Sequence, residues 1–206
     1  MRGVLIGLAL ALVAPAALAQ TQQQSDWCYS ETATDDQTID GCTALIQSAQ
    51  STSTVKAAAY DNRGYAYEDK HLYDQAIADE TQALALNPND PATYNNRGSA
   101  YDDKGLYDQA IADYAKAIAL KPDYAHAYNN RGVSYKNKGF YDQAIADYTR
   151  AIALKSDDAI AYENRGFAYE KKGLRDPAIA DYRAALKINP NRTLAREGLT
   201  RLGATP

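Results

Sequence analysis

Four arginines and four aspartates recur along this chain at a fixed distance. Arg63, Arg97, Arg131 and Arg165 each sit in an Asn-Arg-Gly triplet, and sixteen residues after them come Asp79, Asp113, Asp147 and Asp181. Guanidinium and carboxylate groups in constant register have two uses. Left free, the arginines would form a ladder for an anionic ligand. Paired, they would fix one segment against another, since a half-buried guanidinium without its carboxylate is costly. Pairing is the preferred reading: each arginine lies beside a packed glycine, and upstream both partners are lost together, as Ser25 and Gly41. The two cysteines, Cys28 and Cys42, precede the arginines. In an oxidising compartment an even pair reads as a disulfide, with two small buried thiols as the alternative. Zinc would need further ligands, and the only histidines, His71 and His126, lie far along the chain. Asp35-Asp36 followed by Asp40-Gly41 lacks the alternating acids of a calcium loop. The remaining carboxylates are spread without a paired cleft, and no Gly-rich phosphate loop, HExxH or nucleophile elbow occurs. No catalytic residue, metal ligand or cofactor is expected, and the chain does not read as an enzyme.

The N-terminus carries an address rather than a fold. Arg2 precedes the apolar run Val4–Ala14, and Ala17-Leu18-Ala19 has the small residues of a cleavage site. This pattern predicts a signal peptide over 1–19. A retained membrane anchor is the alternative, but Val4–Ala19 contains Gly7 and Pro15 and is 16 residues long, short of the roughly 20 that a spanning helix needs. Cleavage would leave 21 basic against 26 acidic residues, a net charge of −5. Such a chain, with no Lys/Arg block, is a poor binder of nucleic acid or anionic membrane.

The elements that must position these residues come from a 34-residue repeat with units at 57–90, 91–124, 125–158 and 159–192. The second and third units agree at 22 of 34 positions, far beyond chance similarity between helices. Self-similarity at this period implies stacked units, each unable to bury its apolar face alone. In the second unit Tyr94, Gly98 and Tyr101 recur at helical spacing, as do Ala110, Tyr114 and Ala117 after a break at Lys104-Gly105. Each unit is therefore expected to be two antiparallel helices joined at a turn glycine, with Pro122 closing the second. Small residues let the backbones approach, and tyrosines fill the space between units.

The set Tyr94, Gly98, Tyr101, Ala110, Tyr114, Ala117 and Pro122 resembles the tetratricopeptide repeat. It returns in the other three units with Glu80 for an aromatic, Ser156 for a proline and His71 for the turn glycine. The resemblance covers Ala57–Arg192 and implies an all-α fold, a right-handed superhelical solenoid of antiparallel helix pairs. A degenerate hairpin over 20–56 aligns upstream, Trp27-Cys28-Tyr29 with Tyr65-Ala66-Tyr67 and Asp36-Gln37-Thr38-Ile39 with Asp74-Gln75-Ala76-Ile77. A Cys28–Cys42 bridge would staple this cap, and the polar stretch Ser48–Lys56 would link it to the array. The segment 193–206 reads as a closing helix with one solvated face, as terminal repeats require.

In such arrays the first helices line a concave groove, at positions that vary between units. These are Asp61, Tyr65, Glu68 and Asp69; Asn95, Ser99, Asp102 and Asp103; His126, Asn129, Val133, Lys136 and Asn137; and Ile160, Glu163, Phe167, Glu170 and Lys171. Acid dominates the first half, with Tyr65, Val133 and Phe167 as apolar points. A merely solvated face is one reading. The other is a groove for an extended, basic or neutral peptide segment, with Asn96 and Asn130 bonding its backbone. Family members that clamp a peptide's C-terminal carboxylate use asparagines and basic residues. Here Asp61 and His126 in one frame, or Asn95 and Ile160 in the next, fill the basic places, so the clamp is absent. The expected function is an exported interaction scaffold, in the periplasm of a Gram-negative bacterium or secreted, on resemblance to short bacterial proteins of this kind. A self-associating component of the cell envelope is the alternative.

Overall fold

Each first helix ends at a residue in the left-handed backbone region. Gly105, Gly139 and Gly173 have φ of 74, 78 and 73°. At Gly105 the N–H donates to the Asp102 carbonyl and the N–H of Leu106 to that of Tyr101, both at 2.8 Å, which closes the last turn and reverses the chain. His71 takes this place in the first unit at φ 59°, and the N–H groups of His71 and Leu72 make the same two bonds, to Glu68 and Tyr67. An L side chain is thus held where glycine is cheaper, because the bonds on either side fix the turn.

A computed structural model describes residues 25–205, and the leader assigned to 1–19 lies outside them. Among the described residues every regular element is a helix. The described part of α1 is 25–28, followed by α2 (Asp35–Gln47) and α3 (Ser53–Asp69). Then come α4 (Tyr73–Leu86), α5 (Pro91–Asp103), α6 (Tyr107–Leu120), α7 (Ala125–Asn137) and α8 (Tyr141–Leu154). The last are α9 (Ala159–Lys171), α10 (Arg175–Ile188) and α11 (Thr193–Arg201). Starts are set by side chains that satisfy free N–H groups: Asp90 caps α5 ahead of Pro91, and Asp158 accepts from Ile160 and Ala161 in α9. In one place the local chemistry moves a boundary. Thr52 accepts from the Val55 N–H, so α3 begins at Ser53, inside the stretch read as linker, and the link shortens to 48–52.

Every helix packs on its neighbours in sequence, and contacts reach no further than the next helix but one. That is the contact pattern of a solenoid. The first helices α3, α5, α7 and α9 touch each other in succession, whereas α4, α6, α8 and α10 do not. The first helices therefore lie on the tighter, inner curve. Within a unit Gly98 approaches Tyr114 so closely that an added Cβ would stand 2.7 Å from the ring, and Gly132 does the same to Tyr148. These tyrosines and Tyr182 are almost fully buried.

At the N-terminal end Cys28 and Cys42 are joined by a disulfide with Cα atoms 4.6 Å apart, and both pack on Ala59 of the first unit. Thr34 and Gln37 form a reciprocal cap at the start of α2. At the other end Ala195 and Leu199 of α11 are buried against Tyr182 and Ala185, while Leu194 stays 61% exposed. No helix among the described residues is long and apolar enough to cross a membrane. The bridge closes a short loop, so Cys28→Ser with Cys42→Ser should lower stability by about 3 kcal/mol in the chain-entropy account. Oxidised wild-type protein should show no titratable thiol after denaturation, and two thiols would contradict the bridge.

Candidate functional site

The inner face rests on a repeated ion pair that the spacing of arginine and aspartate predicts. Nε and Nη2 of Arg97 donate to the two carboxylate oxygens of Asp113 at 2.7 and 2.8 Å, a fork across the α5–α6 contact. Arg63–Asp79, Arg131–Asp147 and Arg165–Asp181 repeat it, with closest approaches of 2.6, 2.7 and 2.7 Å. Each guanidinium also lies over two tyrosines, Tyr94 and Tyr101 in the case of Arg97. These hydrogen bonds to aspartate hold the arginines even more firmly charged, against the effect of burial. The arginines therefore serve as clamps between helices and are not a ladder for ligands.

Two contacts were not legible from the repeat. The free Nη1 of Arg63, Arg97 and Arg165 donates to Thr43, Thr81 and Thr149 of the preceding hairpin, which ties neighbouring units together. A second set of bridges, Lys70–Asp36, Lys104–Asp74, Lys138–Asp108 and Lys172–Asp142, joins the end of each first helix to the previous unit. The aspartates of that set are largely exposed, so each bridge contributes little alone.

The residues assigned to the groove lie on the inner helices α3, α5, α7 and α9. Tyr65, Ser99, Val133 and Phe167 occupy one equivalent position in the four units; Tyr65 is 56% exposed and the others are half-buried. An amide ladder crosses the units beneath them. Asn96 donates to Asp61 at 3.3 Å and Asn130 to Asn95 at 3.2 Å. The next step is missing: the Asn129 carbonyl oxygen is buried without a donor among the described residues, and Asn164 accepts from Lys136 instead. Asp102 accepts from Ser134 at 2.5 Å. Glu68 and Asp102 are half-buried, and burial raises both pKa values. Neither these acids nor Asp61, Asp69 and Asp103 have an ion-pair partner among the described residues.

Sequence reading noted Glu80 only as a departure from an aromatic. It is buried, its ionised carboxylate finds no donor among the described residues, and the Asp61 carboxylate beside it can only accept a proton that Glu80 keeps. Burial, with Asp61, Glu68 and Asp79 adding repulsion, pushes its pKa up to about 11, so the folded chain holds it as a neutral acid.

This arrangement, repeated hairpins that fix an inner face of unrepeated side chains, defines a helical-repeat protein. The repeats match the tetratricopeptide-repeat family at 57–90, 81–112, 98–139, 134–173 and 159–192. The chain belongs to that family. Among solved structures, MamA is 27% identical over 87% of this chain and 96% of its own, with a TM-score of 0.68. The second TPR domain of human RPAP3, in complex with the HSP70 peptide SGPTIEEVD, is 27% identical over 56% of this chain and 99% of its own, with a TM-score of 0.53. YrrB, a TPR protein with an unusual peptide-binding site, is 20% identical over 81% of this chain and 84% of its own, with a TM-score of 0.67, and shows the shared fold alone. A search of curated proteins gave no match.

Two expectations follow from the buried charges. Arg131→Ala leaves Asp147, whose side chain is 8% exposed, without its partner; the cost should be about 2–3 kcal/mol, between exposed and fully buried pairs. A double-mutant cycle with Asp147→Ala, read by denaturant unfolding, should show clear coupling. For Glu80 the folded pKa of about 11 lies above the ordinary 4.5. Between those values the folded chain keeps a proton that the unfolded chain releases. Stability from this group is intact below the lower value and is lost as pH rises, by up to ~1.4 kcal/mol per pH unit. Glu80→Gln should flatten that slope, gaining stability near about pH 8 and changing little near about pH 5. An unchanged slope in the variant would show that Glu80 ionises as an ordinary carboxyl.

Proposed function

We propose that this protein is an exported, non-catalytic scaffold whose inner groove holds an extended segment of a partner protein. One observation carries the reading. The aspartates of the two structural sets, Asp79 to Asp181 and Asp36 to Asp142, have ion-pair partners, whereas the inner-face acids Asp61, Glu68, Asp69, Asp102 and Asp103 have none among the described residues. Asp61, Glu68 and Asp102 are half-buried, and carboxylates so placed without an ion-pair partner gain most when a ligand brings a cation. A basic or neutral segment therefore suits the first two units, with Tyr65, Val133 and Phe167 as apolar contacts. Asn96 and Asn130 each spend one amide hydrogen on the ladder and keep a second, with the carbonyl, for partner backbone.

The RPAP3 domain is in complex with a peptide ending in EEVD, a type of tail that these acids would repel. Residues 1–19 and the Cys28–Cys42 bridge support an oxidising compartment, and the periplasm or the exterior is the proposed location. No cofactor enters the proposal. Self-association through the array ends is the second reading, favoured by the exposed Leu194 on α11, and light scattering separates the two.

The test uses a partner captured on the full chain from its native envelope. Asp61→Lys combined with Asp102→Lys should weaken binding about tenfold or more and flatten its decline with added salt. Phe167→Ala should weaken it without changing the salt dependence. Unaltered affinity in folded variants would move the interface to the second helices or the array ends.

A further inference from the structure

The inner face changes sign along its length. The position that holds Glu68 and Asp102 in the first two units holds Lys136 in the third, and the position of Asp69 and Asp103 holds Lys171 in the fourth. These lysines border a cavity of about 540 Å³ between α7, α9 and α11, together with Asn164, Phe167, Leu194 and Arg201. Both ammonium groups stand over Phe167, at 5.8 Å for Lys136 and 5.1 Å for Lys171 from the ring centroid. One ring thus holds both charges at the border of one cavity.

The acids that would neutralise them are already engaged. Glu163 takes Nε of Arg192 at 3.2 Å and the Ala195 N–H at 3.0 Å, on the chain entering α11. Glu170 takes two bonds from Arg201 at 2.9 and 3.0 Å and one from the Tyr182 hydroxyl at 2.6 Å. The seating of α11 thus consumes both carboxylates of the pocket. Lys136 is left with the Asn164 carbonyl at 3.4 Å, and that contact coincides with the broken step of the amide ladder, where the Asn129 oxygen lacks a donor. Burial lowers the Lys136 pKa, opposed by the fields of Asp102 and Glu163; the ammonium is desolvated without an ion-pair partner among the described residues.

We propose that this cavity is an anion subsite of the groove: a carboxylate of the bound segment sits between Lys136 and Lys171, with an adjacent apolar side chain on Leu194. The proposal rests on the groove reading and adds a direction to it, since a segment with a basic part and an acidic residue can lie only one way along such a face. The carboxylate draws Lys136 off the Asn164 carbonyl oxygen, and the released side chain can turn its NH2 group toward the Asn129 oxygen. These residues differ from the places where the family's clamp would fall, which Asp61 and His126 occupy. Their polarity is set by α11, which lies outside the repeats.

Side-chain and terminal carboxylates share this chemistry, and three peptides separate them. The blocked peptide acetyl-Ala-Leu-Glu-Leu-Ala-amide carries a side-chain carboxylate only. Acetyl-Ala-Leu-Gln-Leu-Ala with a free end carries a terminal one only, and its amide carries neither. Each is titrated into the full oxidised chain, followed by NMR of the Lys136, Lys171 and Phe167 amides and of the Asn164 side-chain amide. At least one carboxylate peptide should shift these signals saturably, the neutral peptide should not, and the arm that responds identifies the source. Lys171→Gln, on an exposed residue, should weaken that binding about tenfold. Lys136→Gln should do the same and remove the response at Asn164. Equal shifts from charged and neutral peptides, or no shifts from any, would overturn the subsite. The groove reading is judged separately, by the Asp61 and Asp102 variants.

Discussion

In each of the two central hairpins a glycine on the first helix lies hard against a tyrosine ring on the second, and the rest of the architecture is arranged around that contact. Gly98 and Gly132 admit Tyr114 and Tyr148 to a distance that any side chain would block. The residue before each glycine is the arginine, and the residue before each tyrosine is its aspartate. Close packing therefore brings the ion pair together at a depth where a fork of two hydrogen bonds outlasts competition from water. Tyr182 is gripped from two sides, by Gly166 and by Gly198 of α11, where an added Cβ would come within 2.4 Å of its ring. The same contact that builds a unit is reused to seat the closing helix. The first unit departs from this rule, with Glu80 under Gly64, and keeps its shape around an uncharged acid.

Because the scaffold is built from residues that repeat, the information specific to this protein falls on those that do not. The inner-face position is held by tyrosine, serine, valine and phenylalanine in turn, and of these Val133 also packs against the cluster of Ala144, Tyr148 and Ala168. The inner face also separates charge by unit, acids in the first two and lysines in the last two. The terminal helix sharpens the separation by occupying Glu163 and Glu170. A cap that covers apolar surface thus also sets the electrostatics of the groove beside it.

The sequence made the hairpins, the turn residues and the arginine–aspartate register legible, because each of these recurs at one period, and the disulfide partners legible because Cys28 and Cys42 are its two cysteines and fall on paired helices of the aligned hairpin. His71 was recognised as a turn residue from alignment alone, and its positive φ agrees. What escaped were contacts that run between units or leave the period. Thr43, Thr81 and Thr149 are ordinary surface threonines until the preceding hairpin is placed in space. The lysine–aspartate bridges connect residues about one unit apart, on faces that helical spacing does not bring into register. The protonation of Glu80 depends on complete burial, which a substitution in an alignment does not reveal. The pocket at Lys136 and Phe167 depends on where α11 docks, and no repeat encodes that docking. The earlier start of α3 turned on one capping threonine.

The distribution of bonds within and between units has a further consequence for how such a chain can change length. Each arginine–aspartate fork is closed inside a single unit, and each lysine–aspartate bridge links a unit to whichever unit precedes it. Inserting one whole period between the second and third units would therefore restore all of these contacts across the new junction. It would leave both end caps on their own units and move the acidic and basic parts of the inner face apart by one fixed step. The array is in this sense a ruler graduated in units, on which the spacing of recognition features can be reset without redesigning the fold.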